Sequence, residues 1–99
     1  MTTDDHNKLG TARLEEGEYD EAISEFTKTI QSILPSFADA HYKRSLAYRY
    51  KGEYDLAIAD ATKAIEVNPD YAEACYNRGL AYRRKEQDEL AIAEFSKAI

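Results

Sequence analysis

Apolar residues along this chain return at intervals of three, four and seven, the spacing of one side of an α-helix. Ala40, Ala47, Tyr48 and Tyr50 carry one stripe, and Ala57, Ile58, Ala61, Ala64 and Ile65 carry a second. Glycine and proline divide the stripes. Gly17 and Gly52 stand where a helix is expected to end, because glycine takes the positive φ of a C-terminal cap without steric cost. Leu34-Pro35-Ser36 and Asn68-Pro69-Asp70 close the second segment of each pair, since proline cannot continue the hydrogen-bond ladder but can open the next helix. The pattern predicts six helices, at roughly 4–16, 19–33, 38–51, 54–67, 72–85 and 88–99. Strands are not expected, because Val67 is the lone valine and little β-branched material remains beyond Ile and Thr.

The stripes are copies of one another. Shifted by 34, residues 38–65 fall on 72–99 with 16 of 28 pairs identical, among them Tyr42/Tyr76, Arg44/Arg78, Leu46/Leu80, Tyr48/Tyr82, Leu56/Leu90, Ala57/Ala91, Ile58/Ile92 and Ala64/Ala98. Self-similarity at a fixed period marks a repeat array. A weaker first copy precedes them: Gly17-Glu18-Tyr19-Asp20 matches Gly52-Glu53-Tyr54-Asp55 at an offset of 35, and Pro35 matches Pro69 at 34. One extra residue therefore lies between Phe26 and Pro35, which suggests a longer second helix or a bulged turn near Ile33. The third copy departs at its turn, with Glu86 where the others have glycine and Asp88 where they have tyrosine. A looser turn is expected there. Thr29 replaces the small residue held by Ala64 and Ala98.

Ala74, Gly79 and Tyr82, followed by Ala91, Phe95 and Ala98, resemble the tetratricopeptide repeat. So do Leu9-Gly10, Gly17, Tyr19, Ala22 and Phe26 in the first copy, and Tyr48, Gly52, Tyr54, Ala57, Ala64 and Pro69 in the second. The resemblance implies an all-α fold, a right-handed superhelical solenoid of three helix-turn-helix units in one domain spanning 1–99. The units fall at about 3–36, 38–71 and 72–99, the last ending mid-pattern without a polar capping helix.

Composition narrows the function. The chain is acidic, with net charge −6, and the acid is concentrated in residues 1–40, which hold nine acidic and three basic side chains. A net negative field disfavours nucleic acid, because phosphate contacts need positive charge. Arg83-Arg84-Lys85 is a short basic run beside Glu86, Asp88 and Glu89, and reads as a solvated face. Cys75 is the only cysteine, so no intrachain disulfide forms. The polar start Met1-Thr2-Thr3-Asp4-Asp5-His6 is unlike a signal peptide, and no apolar run reaches the roughly 18–20 residues of a membrane span. A cytoplasmic protein with no membrane contact is expected.

No catalytic constellation is present: there is no Gly-rich phosphate loop, nucleophile elbow or histidine pair on one helix, so an enzyme is not expected and no cofactor is implied. His6, His41 and Cys75 share one position in their units and look like a metal-ligand series. Neighbouring helices lie about 8–10 Å apart, however, and metal bonds need about 2.0–2.3 Å, so semi-buried packing residues and no metal are expected. The acidic run from Glu15 to Glu21 reads as a solvated turn and helix start.

What remains is binding. In tetratricopeptide repeat proteins the first helix of each unit lines a concave groove. By position the resemblance puts there Asn7, Thr11 and Leu14, then Tyr42, Leu46, Arg49 and Tyr50, then Tyr76, Leu80, Arg83 and Arg84. Tyrosines offer rigid apolar faces with a hydroxyl, and arginines offer forked donors for carboxylates or carbonyls. The expected partner is a protein or peptide segment with apolar anchors and at least one acidic group. A family subtype that clamps the C-terminal carboxylate of chaperone partners is not matched: its positions hold Asn7, Thr11, Lys43, Glu73 and Asn77, and Glu73 would repel a carboxylate. The alternatives are a self-association module, suggested by the uncapped last unit, and a regulatory segment of a larger protein.

Overall fold

A computed structural model describes residues 2–32 and 38–98, with side chains described through Glu89. Among these residues all regular structure is helical: α1 Thr3–Glu15, α2 Tyr19–Ile30, α3 Ala38–Tyr50, α4 Tyr54–Val67 and α5 Ala72–Ala98. Each helix packs on the next in sequence, and α3 also touches α1 and α5, so the helices stack in the order of the chain. None of the described helices is long and apolar enough to cross a membrane.

Local chemistry sets the boundaries. Thr2 and Asp5 form a capping box at the start of α1: the Asp5 amide donates to Thr2 Oγ1 at 3.1 Å, and the Thr2 amide donates to Asp5 Oδ2 at 3.0 Å. Gly17 and Gly52 adopt φ of 80° and 82° and close α1 and α3. In each case the two amides after the cap turn back onto the helix. Gly17 donates to Leu14 O and Glu18 to Arg13 O, while Gly52 donates to Arg49 O and Glu53 to Tyr48 O. Gly52→Ala should cost about 1–2 kcal/mol, the penalty of a left-handed backbone on an L side chain, because the site is otherwise roomy. Urea denaturation followed by circular dichroism would show the lowered midpoint; an unchanged midpoint would mean the turn relaxes freely.

The third unit has no such turn. α5 runs unbroken through Glu86, Gln87 and Asp88, and no residue other than Gly17 and Gly52 has positive φ among those described. This corrects the expectation of separate helices at 72–85 and 88–99. Without glycine the reversal carries a steric penalty, and Glu and Gln are good helix formers, so propagation wins. The expectation of a longer second helix in the first unit is also corrected, because α2 has 12 residues against 14 in α4. A bulged turn at residue 33 lies outside the described residues.

Ala22, Phe26 and Ala47 form a fully buried cluster, with Leu14, Tyr19 and Ile23 packed against it. Ala40, Ala57, Ala61, Ala64, Ala74 and Ala81 are also fully buried, since small residues at the crossings let the helices approach closely. Gly10 makes the closest approach: a Cβ there would lie 2.7 Å from Cε1 of Phe26. Thr29 is buried and satisfies its hydroxyl by donating to Glu25 O at 3.2 Å.

Candidate partner-binding cleft

Two pairs of polar contacts recur from unit to unit and hold each first helix against the second helix before it. Arg44 Nη1 donates to Thr27 Oγ1 at 3.1 Å, and Arg78 Nη1 to Thr62 Oγ1 at 3.3 Å. Lys51 Nζ lies 2.5 Å from Asp20 Oδ1, and Lys85 Nζ lies 2.8 Å from Asp55 Oδ1. α3 and α5 are joined directly, by Arg49 Nε to Asn77 Oδ1 and by Asn77 Nδ2 to Ser45 Oγ.

Between α3 and α5 lies an open cleft of about 410 Å³. Tyr42, Leu46, Arg49 and Tyr50 line it from α3, and Ala72, Glu73, Tyr76 and Asn77 from α5. Tyr76 is 71 % exposed and Tyr50 50 %, so two tyrosines reach solvent at the cleft, the Tyr50 ring packing on Tyr19 with centroids 5.4 Å apart. Arg49 is held in place from two directions. Its guanidinium lies 4.8 Å from the Tyr50 ring centroid, and its Nε donates to Asn77 Oδ1. Asn77 is itself fixed, being buried and donating to Ser45 Oγ at 2.5 Å, while Ser45 donates to Ala57 O at 2.8 Å. The buried chain Ser45–Asn77 thus aims an arginine at the cleft. Tyr42 packs on Tyr71 with ring centroids 5.1 Å apart. Burial, followed by the charges of Glu73 on Tyr42 and of Asp39 on Tyr71, raises both phenol pKa values, so both remain neutral hydrogen-bond donors.

Of the positions expected in the groove, Tyr42, Leu46, Arg49, Tyr50 and Tyr76 come together in the cleft. Half-buried Leu80 and exposed Arg83 lie farther along α5, outside its lining. Arg84 turns to α4, its Nε 3.4 Å from the Tyr54 hydroxyl. Leu14 packs against the buried cluster of the first unit. Asn7 donates to Asp39 at 3.1 Å and Thr11 accepts from Lys43 at 2.9 Å, so both tie α1 to α3. Ala72, outside the expected set, and Glu73 and Asn77, expected only at clamp positions, complete the walls. Their helical spacing from Tyr76 and Leu80 is the signal that places them there.

The histidine series resolves into helix-pairing contacts. His6 Nδ1 lies 2.6 Å from Glu25 Oε2, and His41 Nδ1 lies 3.3 Å from Asp60 Oδ1. Arg44 grips the same Asp60 in a fork, with Nε to Oδ2 at 2.6 Å and Nη2 to Oδ1 at 2.7 Å. Burial pushes the Asp60 carboxyl up, but hydrogen bonds from His41 and Arg44, with their charges, outweigh it and hold the group below the usual range. The hydrogen bond from His6 lowers Glu25 in the same way, against burial. Cys75, at the equivalent position, is exposed rather than semi-buried. The acidic residues Glu15, Glu16, Glu18, Asp20 and Glu21 are all exposed.

Family profiles described as tetratricopeptide repeat match residues 7–49 and 72–99, and one described as TPR repeat matches 45–85. The chain belongs to the tetratricopeptide repeat family. A search of curated protein sequences returned no match. Among solved structures, the MamA protein is 33 % identical with a TM-score of 0.82, the alignment covering 98 % of this chain and 52 % of that one. The Sgt2 TPR domain from Aspergillus fumigatus is 30 % identical with a TM-score of 0.80, covering 86 % of this chain and 56 % of that one. The second TPR of Spaghetti (RPAP3), solved with the HSP90 peptide SRMEEVD, is 26 % identical with a TM-score of 0.81, covering 95 % of this chain and 86 % of that one. This chain spans about half the length of the MamA and Sgt2 structures it matches. Within this tetratricopeptide repeat chain, α1, α3 and α5 are the first helices of the units, and the cleft lies between the second and third of them.

Proposed function

We propose that this chain is a non-catalytic interaction scaffold that holds a short segment of another protein in the cleft between α3 and α5. The carrying observation is the pairing of two exposed tyrosines, Tyr50 and Tyr76, with Arg49 held in place by buried Asn77. Exposed aromatic rings next to a pre-oriented guanidinium suit an apolar anchor followed by a carboxylate, with little side-chain freedom left to lose on binding. The Spaghetti TPR domains hold the peptide SRMEEVD, so peptide capture is within the reach of this fold.

Charge orients the ligand. Glu73 and Arg83 are ten residues apart on α5, about 15 Å along the axis. The acidic group belongs at the Arg49–Arg83 end, and a neutral or basic group beside Glu73. A free C-terminal carboxylate is not the expected determinant, because Asn7 and Thr11 already bond Asp39 and Lys43, and Asn77 is buried.

Charge reversal at Arg49 and Arg83 together should weaken binding of an acidic peptide, recovered by display selection on the wild-type chain, by about tenfold or more, since charged hydrogen bonds contribute about 1.5–3 kcal/mol. Circular dichroism should show helicity retained. Equal affinity in a folded double variant would place the ligand elsewhere.

A further inference from the structure

One strip of α5 differs in exposure from its counterparts. Cys75, Gly79 and Tyr82 are all exposed, and an added Cβ on Gly79 would meet nothing within 4 Å. The equivalent residues of α3 are covered: His41 is 8 % exposed, Ser45 0 %, and Tyr48 is half-buried. Gly10, the equivalent in α1, is buried under Phe26. In the first two units the cover is the unit's own second helix, through Glu25 and Phe26 of α2 and through Ala57 O and Asp60 of α4. In the third unit the corresponding residues, 88–98, continue along the same helix. Residue 95 is thereby about 24 Å from Gly79 along the axis and cannot cover it.

The sequence nevertheless keeps both halves of that contact. Units one and three carry glycine and phenylalanine sixteen residues apart, Gly10 with Phe26 and Gly79 with Phe95, whereas unit two has Ser45 with Ala61. A large side chain at the second position goes with a missing one at the first. Leu90, Ala91, Ile92, Ala93, Lys97 and Ala98 repeat the residues of α4 that precede and follow Asp60. The strip and the segment whose sequence matches its cover therefore lie on one helix, and the strip is open to solvent.

We infer that a second copy of this chain covers the strip, by reciprocal exchange of residues 88–98. Residues 88–98 of each copy lie antiparallel on residues 72–85 of the other, with Phe95 over Gly79, and both third units are completed at once. The register is self-consistent. Ser45 meets Ala57 and Gly10 meets Phe26 in the first two units, and the equivalent pairs, 79 with 91 and 79 with 95, centre an antiparallel helix pair at residues 85–87. That is where Glu86-Gln87 replaces the glycine turn, so an unbroken helix is what the exchange requires. The exchange is independent of the cleft, which uses the side of α5 that carries Glu73, Tyr76 and Asn77.

Residues 6 and 25, and 41 and 60, touch across the first two units, so residue 94 should lie beside residue 75 wherever the third unit is complete. The test is Glu94→Cys in the full chain, treated with a short bis-maleimide that reaches the native Cys75, together with sedimentation across concentrations. Exchange predicts a concentration-dependent dimer, a 75–94 link between two chains, and a dissociation constant raised about tenfold or more by Phe95→Ala, as for loss of a buried aromatic. Glu86→Gly, which restores the turn residue, should shift the dimer to monomer and the link to within one chain. A monomer at every concentration, a link within one chain in the Glu94→Cys protein itself, or a dimer without the 75–94 link would each overturn the inference.

Discussion

Phe26→Ala should be the most damaging single substitution in the first unit, costing about 3–5 kcal/mol. Phe26 is fully buried, and its ring fills the space that a side chain on Gly10 would need, so truncation leaves a void walled on one side by the Gly10 backbone and by the small side chains of Ala22 and Ala47, which cannot fill it. Domains of this size have total stabilities of about 5–15 kcal/mol, so the loss should appear as a large drop in the urea midpoint or as partial unfolding in buffer. The reverse change is equally diagnostic. Gly10→Ala places a methyl 2.7 Å from the Phe26 ring and should also destabilise, whereas Gly79→Ala, with open space around it, should change the stability of the monomer little. Similar losses for the two alanine variants at low protein concentration would contradict the packing described.

Asp60→Ala should cost a comparable amount, about 3 kcal/mol or more, for an electrostatic reason. Asp60 is 5 % exposed and receives the Arg44 fork and the His41 ring nitrogen, and Arg44 also reaches Thr27 in the unit before. Removing the carboxylate leaves a guanidinium without its partner in a largely buried site. Asp60→Leu combined with Arg44→Leu should recover a substantial part of the loss, because the double replacement buries no unpaired charge. Urea titration of the two singles and the double measures the coupling directly; strictly additive losses would show that the pair does not act together.

The same carboxylates set the acid limit. Asp60 and Glu25 are both held below their ordinary values of 3.8 and 4.5 in the fold. A depressed carboxyl contributes stability above its unfolded pKa and loses it as pH falls through the folded one. Stability should therefore hold as pH falls to about 4.5 and then decline with further acidification. Asp60→Ala should flatten that decline, which melting curves between neutral pH and pH 3 would reveal.

Much of the fold was legible because the first two units obey simple local rules. Gly17 and Gly52 mark their turns by the backbone angle only glycine takes cheaply, and Asn68-Pro69-Asp70 ends α4 with Asn68 Oδ1 accepting the Asp70 amide at 3.2 Å. The third unit departs from the six-helix pattern because its identity to the second, at Leu90-Ala91-Ile92-Ala93, speaks to packing rather than to chain reversal. The turn depends on the single residue at 86, where glutamate extends the helix. In the cleft, repeat position was enough to gather Tyr42, Leu46, Arg49, Tyr50 and Tyr76. It could not tell that Leu14 packs inward or that Arg84 turns toward Tyr54, because side chains one or two positions off the groove axis are decided by their neighbours. The carboxylate partners of His6 and His41 were missed, though the signal was present: an acid nineteen residues after the shared position, at Glu25 and Asp60.

The cleft is the centre of the functional account, and amide chemical shifts test it most directly. The isotope-labelled chain would be titrated with a display-selected acidic peptide. Saturable shifts should concentrate on Tyr42, Leu46, Arg49, Tyr50, Glu73 and Tyr76, and need about tenfold or more peptide to saturate in the Arg49→Glu/Arg83→Glu chain. Shifts confined to α2 and α4, with those six residues unmoved, would contradict it.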